Sequence, residues 1–235
     1  MQRNFLTITL IATVAILSCS DGDRIRERPK DIIPTDIDPA VYQKIAAQFP
    51  EGQNITTSKT SLFQAGAQKQ VVLSEESNVY LAYISEGASY ANSFGWYTYN
   101  VNEKPQSASD LDVHILFPHV SDRILKQGDM LQLGESKFPA GTVIGFFLII
   151  HGWDNGQVNY NGETFYTDYE LNTDDQQQHV LFRQKDLGNL ILTFEDQLTS
   201  QVSDKDYNDI LFMVTDNKSG QAVSRFNMNG VVELD

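Results

Sequence analysis

The chain has 235 residues, with 17 Lys and Arg against 31 Asp and Glu, a net charge of −14, and one Cys. That acidic balance repels a phosphate backbone, whose neutralisation by Lys and Arg supplies most nucleic-acid affinity, and so argues against a nucleic-acid partner. One Cys forms no intrachain disulfide and offers no paired thiolates to zinc or an iron–sulfur cluster, while the 11% aromatic content is too high for a disordered chain.

Residues 5–17 form an apolar run behind Arg3 that stops at Ser18-Cys19 before Ser20-Asp21-Gly22-Asp23. As a helix, the run spans roughly 20 Å, short of the roughly 30 Å hydrocarbon layer, and it reads as a signal segment over 1–18. Ile16-Leu17-Ser18-Cys19 resembles a bacterial lipobox, in which cleavage precedes the Cys and the Cys takes the lipid. The alternative is a plain signal with a stray thiol. The resemblance implies several acyl chains on Cys19, enough for stable anchoring where a single chain is marginal. Ser20 differs from the Asp that retains many lipoproteins at the inner membrane, and Asp21 and Asp23 resemble a surface-export signal. The expected location is therefore the bacterial outer membrane, surface-exposed, with the lipid as its membrane partner.

Residues 19–37 mix Asp21, Asp23, Arg24, Arg26, Glu27 and Arg28 with Pro29 and Pro34, a composition expected to form a flexible tether. Residues 38–56 hold a short helix and a connection: Asp38 as N-cap, Pro39 at the first helical position, Val41, Ile45 and Phe49 on one stripe, and Pro50 at the end. This helix is expected at the edge of the domain.

From residue 57 to 235 the dominant period is two. Val71 to Leu73, Val79 to Tyr83, Val113 to Phe117, Val143 to Ile150, Val180 to Phe182, Leu190 to Phe194, Ile210 to Val214 and Val231 to Leu234 are β-branched or aromatic runs between Gly-rich turns. Many short strands without a later helical stripe predict an all-β fold, an antiparallel β-sandwich or jelly roll with one N-terminal helix.

Two of these runs, 190–194 and 210–214, flank a segment holding Glu195, Asp196, Asp204, Asp206 and Asp209 against Lys205 alone. Folding the hairpin brings like charges together, and each raises the pKa of its neighbours or pushes the loop open unless a cation intervenes. Asp204, Asp206 and Asn208 alternate like the first, third and fifth ligands of an EF-hand calcium loop. The match ends there: Asp209 stands at the sixth position, where Gly is needed, and Thr215 at the twelfth, where Glu is needed. The narrower expectation is a divalent cation enclosed by Glu195, Asp196, Asp204, Asp206, Asn208 and Asp209, with Glu86 and Asn92 as possible extra ligands from a neighbouring loop. Calcium is favoured by the number of hard oxygens and the lack of nearby His or Cys. A solvated acidic loop is the alternative.

Several stretches resemble one family. They are Ile84 to Tyr99, Phe138 to Phe147, Phe165 to Asp168 with Leu171-Asn172, Gln178 to Val180, and above all Phe194-Glu195-Asp196 followed by Ser203 to Asp209. In this order, from about 79 to 216, the chain is similar to the domain of unknown function 4114, found in LruC-type bacterial surface lipoproteins. The resemblance implies an all-β extracellular domain whose Phe-Glu-Asp and Asp-x-Asp-Tyr-Asn-Asp segments hold calcium, here through Glu195, Asp196, Asp204, Asp206, Asn208 and Asp209. His119 and His151 stand where the family more often has Asn.

Enzyme signatures such as HExxH, GxSxG, GxxxxGK[ST] and GxGxxG are absent. Glycoside hydrolysis needs only two carboxylates about 5 to 9.5 Å apart, so an enzyme using Glu195 is one rival reading. A second is a non-catalytic glycan-binding module using Trp96 or Trp153 as a sugar platform. The leading expectation is a non-enzymatic calcium-binding surface lipoprotein that acts in adhesion or ligand binding, with a glycan or a protein surface as its ligand.

Overall fold

The computed structural model describes residues 26–87, 90–200 and 203–235. The expected signal segment and Cys19 lie outside the described residues. No helix among the described residues is long and apolar enough to cross a membrane.

The segment expected as a tether is docked from residue 26 onward. Ile33 and Pro34 form strand β1 and pair with Met130 and Asp129 of β6 (Asp129–Gln132). The Thr35 amide donates to the Gly128 carbonyl at 2.9 Å, and Arg28 meets the Asp129 carboxylate at 2.8 Å. The composition of this stretch concealed Ile32, Ile33 and Ile37, which pack against the body.

Helix α1 (Pro39–Gln48) starts as its sequence dictates: the Asp38 carboxylate accepts from the Ala40 amide at 2.8 Å, and Pro39 opens the first turn. Its stripe of Val41 and Ile45, continued by Phe49, does not sit at the domain edge. It covers the outer face of the larger sheet, where the Phe49 ring stacks on Phe182 at 5.2 Å.

That sheet has seven strands in the order β1-β6-β3-β13-β12-β11-β14, with β3 at Tyr80–Glu86, β11 at His179–Gln184, β12 at Leu190–Phe194, β13 at Ile210–Thr215 and β14 at Val232–Leu234. All its neighbours are antiparallel except β11 and β14. The second sheet runs β10-β7-β4-β5, comprising β4 (Asn92–Asn100), β5 (His114–Val120), β7 (Thr142–Ile149) and β10 (Thr164–Tyr166), with β2 (Val71–Val72) also on β7. A two-stranded ribbon of β8 (Trp153–Asp154) and β9 (Gln157–Val158) stands apart. The fold is the expected β-sandwich.

Alternation sorts the core. On β3, Leu81 and Tyr83 face Phe94, Phe117, Phe146, Phe194 and Phe212 between the sheets, while Tyr80, Ala82 and Ile84 face the helix side. Both faces of the central strands are covered, which is why 190–194 and 210–214 read as unbroken apolar runs.

Strand β4 carries a constraint that its sequence hides. It begins with the polar pair Asn92-Ser93 and contains Gly95, yet it is the central partner of β7 across eight residue pairs. Gly95 opposes Phe147, and Gly145 opposes Tyr97; a Cβ at Gly95 would stand 2.3 Å from the Phe147 ring, and one at Gly145 would stand 2.2 Å from the Tyr97 ring. Each ring thus lies over the opposite glycine. Gly95 also approaches the His114 carbonyl, 2.4 Å from such a Cβ, and backbone cannot step aside as a side chain can. We expect Gly95→Ala to cost about 1–3 kcal/mol and lower the melting temperature by roughly 2–12 °C in differential scanning calorimetry. An unchanged transition would contradict the close packing of these strands.

Candidate metal centre

The hairpin of β12 and β13, closed by the Phe194–Ile210 pair, projects the 195–209 loop from one end of the sandwich. Ile210 also pairs with Glu86, the last residue of β3, and Asn92 opens β4 in the other sheet. The turn after the helix closes over the same loop. The Gly52 amide donates to the Asp206 carboxylate at 2.7 Å, the Ile55 amide to the Lys205 carbonyl at 3.0 Å, and the Asn208 side-chain amide to the Phe49 carbonyl at 3.0 Å.

The structure divides the predicted ligands between distinct roles. Asp204 and Asp206 converge, and the third member of their group is Glu51: one carboxylate oxygen from each lies within 4.8 Å of the others. Two oxygens on opposite sides of a calcium ion, each about 2.3–2.6 Å from it, stand about that far apart, so one cation can touch all three. Asp206 is buried at 1% exposure, whereas Glu51 and Asp204 are open to solvent. Asn208 borders this group and donates its amide N–H to Asp206 at 3.2 Å. Glu51 went unrecognised in the sequence because nothing local links it to a loop some 150 residues away; the link is the tertiary bond from Gly52.

Glu195 clamps the loop. One of its oxygens accepts the Tyr207 amide at 2.6 Å, the other the Ser203 hydroxyl, and the residue is 1% exposed. These bonds help to hold Lys205 and Tyr207 at φ of 62° and 57°, a left-handed conformation that costs non-glycine residues about 1–3 kcal/mol each and persists only where the surroundings enforce it. Buried Tyr207 adds a hydroxyl bond to the Gln177 carbonyl at 2.8 Å.

Asp196 and Asp209 form a second acidic pair away from the Glu51 group. The Asp196 amide donates to the Asp209 carboxylate at 2.8 Å, and the Asn92 side-chain amide donates to the Asp196 carboxylate at 3.0 Å. The Asn92 carbonyl oxygen in turn accepts the His151 amide at 3.1 Å. Asn92 therefore bridges the two sheets. Glu86 accepts the Asp122 amide at 3.3 Å and faces a separate, open cavity with His119 and Arg123. The single cage expected from the sequence is thus one convergent trio and one hydrogen-bonded pair, because the loop is wide enough to send its two ends to different neighbours.

Trp96 is not a surface platform. It is 7% exposed, packs edge-on against Phe138 and stacks with His114 at 4.5 Å, since alternation turns it toward the interior of the sandwich. Trp153 lies on β8, partly exposed, with its ring stacked 6.2 Å from His119.

Burial raises the pKa of several carboxyl groups at this end of the protein. It pushes Asp209 up to about 8, reinforced by the charge of Asp196, and it raises Asp196 as well. Burial likewise lifts Glu195 and Glu86 to about 7, and Asp206 to about 6, against the opposing hydrogen bonds from Ser203, Tyr207 and Gly52. These are the values without a cation.

An acidic sandwich with convergent carboxylates at one end is the class that fold and site define. The family model for the domain of unknown function (DUF4114) matches residues 138–217, the same family whose motifs the sequence resembles. The match spans β7 through β13 with the whole acidic loop, and leaves Glu51, Glu86 and Asn92 outside it. No curated protein and no solved structure matches the chain.

A carboxylate with a raised folded pKa keeps its proton in the folded chain where the unfolded chain has lost it, so stability falls as pH rises from the unfolded toward the folded value. His179 opposes this at lower pH: burial holds its pKa near 3, so its contribution rises with pH and is complete above about 6.5. Between about pH 6.5 and 7.5 the carboxylates dominate, since buried Lys69, with its pKa lowered to about 8, opposes them only at higher pH. In chelator, the melting temperature should fall across that window, and Asp209→Asn should flatten the fall. A melting temperature that rises with pH there would contradict the burial of these groups.

Proposed function

We propose that the protein is a non-enzymatic calcium-binding lipoprotein of the bacterial outer membrane, whose sandwich serves as an adhesion or ligand-binding module at the cell surface. The observation that carries the cation reading is the trio of Glu51, Asp204 and Asp206, with one oxygen from each inside 4.8 Å and Asp206 withdrawn from water. All its donors are hard oxygens, the chemistry that calcium takes, and no His or Cys belongs to the group. The left-handed Lys205 and Tyr207 hold Asp204, Asp206 and Asn208 on successive alternate positions of a bent loop. One cation there joins the end of α1 to the β12–β13 hairpin and fixes the shape of this end of the sandwich.

The glycosidase reading draws less support. Glu195 is 1% exposed, and its oxygens accept hydrogen bonds from Tyr207 and Ser203 inside the loop, which turns it toward the protein rather than toward a substrate. The lipid anchor rests on Ile16-Leu17-Ser18-Cys19.

Calcium at 100 times its dissociation constant should stabilise the protein by about 2.7 kcal/mol, a rise of roughly 5–11 °C in melting temperature relative to chelator. Glu51→Gln, a change at an exposed position, should reduce the rise, and Asp206→Asn should remove it. Equal melting temperatures with calcium and with chelator would contradict the proposal. For the anchor, Cys19→Ser should move the protein from the membrane fraction to the soluble fraction and abolish fatty-acid labelling; retention in the membrane would contradict it.

A further inference from the structure

Beside the acidic loop lies a cavity of about 360 Å³ whose chemistry is opposite to that of the chain as a whole. Lys69 and Lys205 line it, with Asp175 as the one carboxylate of its described lining. Lys69 is 7% exposed, and its ammonium donates to the Leu62 carbonyl at 2.6 Å. Neither lysine forms an ion pair among the described residues, whereas Lys44, Lys104, Lys137 and Lys185 each meet a carboxylate. A buried ammonium without a counter-charge is costly to keep. Burial lowers the Lys69 pKa to about 8, and no neighbouring acid offsets it. His179, whose ring N–H donates to the Lys69 carbonyl at 3.1 Å, stays neutral and supplies no charge of either sign.

The rest of the lining is neutral and mixed. Thr56 and Gln64 offer a hydroxyl and an amide, and the rings of Phe63 and Tyr207 stand 5.1 Å apart at 58°. No arginine is among the described lining residues, so the bidentate fork that favours phosphate or sulfate is missing. A positive corner, hydrogen-bonding walls and an aromatic face match a molecule with one carboxylate, several hydroxyls and an apolar C–H surface. The volume lies near the lower end of the roughly 300–1,000 Å³ usual for ligand pockets, which suits a single ring rather than a long chain.

We propose that this cavity binds an acidic sugar of the uronic-acid class, its carboxylate paired with Lys69 and Lys205 and its ring against Phe63 and Tyr207. The site is distinct from the Glu51 trio and its lysines are not cation ligands, but Lys205 lies between Asp204 and Asp206 on the same loop, so calcium affinity is measured alongside galacturonate binding to tell the two readings apart.

The test is calorimetric titration of the purified protein with galacturonate, glucose, acetate and inorganic phosphate in turn. Galacturonate should bind at least tenfold more tightly than the other three. Lys69→Gln should abolish that binding. Lys205→Gln, a change at a partly exposed position, should weaken it severalfold while the chain keeps its cooperative thermal unfolding, and it keeps the test readable if the Lys69 variant does not fold. The proposal is overturned by the absence of galacturonate binding, by equal affinity for glucose, acetate or phosphate, or by galacturonate affinity that is the same in Lys205→Gln as in the parent. Calcium affinity in both lysine variants serves as the control: its loss would point to a damaged loop, and the loss of galacturonate binding would then overturn the assignment of these lysines.

Discussion

Negative charge held away from water at one end of the sandwich is the constraint around which this protein is organised. Asp206, Glu195 and Asp196 are nearly inaccessible, and burial together with the charge of Asp196 lifts Asp209 to about 8. Buried carboxylates are tolerable when hydrogen-bonded, protonated or neutralised by a cation. The fold uses the first option for Glu195 and for the Asp196–Asp209 pair, where amide and side-chain donors meet the oxygens. At the Glu51 trio two donors face three carboxylates: Gly52 and Asn208 both serve Asp206, and no hydrogen bond among the described residues reaches Glu51 or Asp204. That imbalance is why the cation is assigned to the trio rather than to the pair.

The architecture that makes this possible is a hairpin braced from three sides. The strand pairings of β12 and β13 anchor the loop's two ends, α1 and its following turn cover one flank, and Asn92 ties the other flank to the second sheet. A helix that covers the outer face of the larger sheet thereby has a second consequence, since its C-terminal turn delivers Glu51. The same loop, through Lys205 and Tyr207, forms part of the wall of the lysine-lined cavity, so whatever fixes the loop also fixes one side of that cavity.

Much of the fold was legible because period-two alternation and apolar runs record which faces are covered. Leu190 to Phe194 and Ile210 to Val214 appear where their patterns put them, and Asp38, Pro39 and Pro50 mark the helix correctly. Strand β4 was harder to read as a strand because its glycine and polar opening serve cross-strand rings and the sheet-to-sheet bridge rather than strand propensity. The docking of residues 26–37 and the seat of the helix depend on contacts with distant segments, which local composition does not encode. At the site, the crowding of acids near 195–209 was visible as charge, yet how they divide was not. Glu51 joins through a turn made by another part of the chain, and Trp96 is withdrawn by the inward face of its strand.

The most direct measurement is equilibrium dialysis of the metal-stripped protein against radiolabelled calcium, carried out in parallel on Glu51→Gln and Asp206→Asn. The account requires saturable binding in the parent, weakened when Glu51 is neutralised and lost when Asp206 is. Calcium held equally by all three proteins, or by none, would contradict the assignment of the ion to this trio.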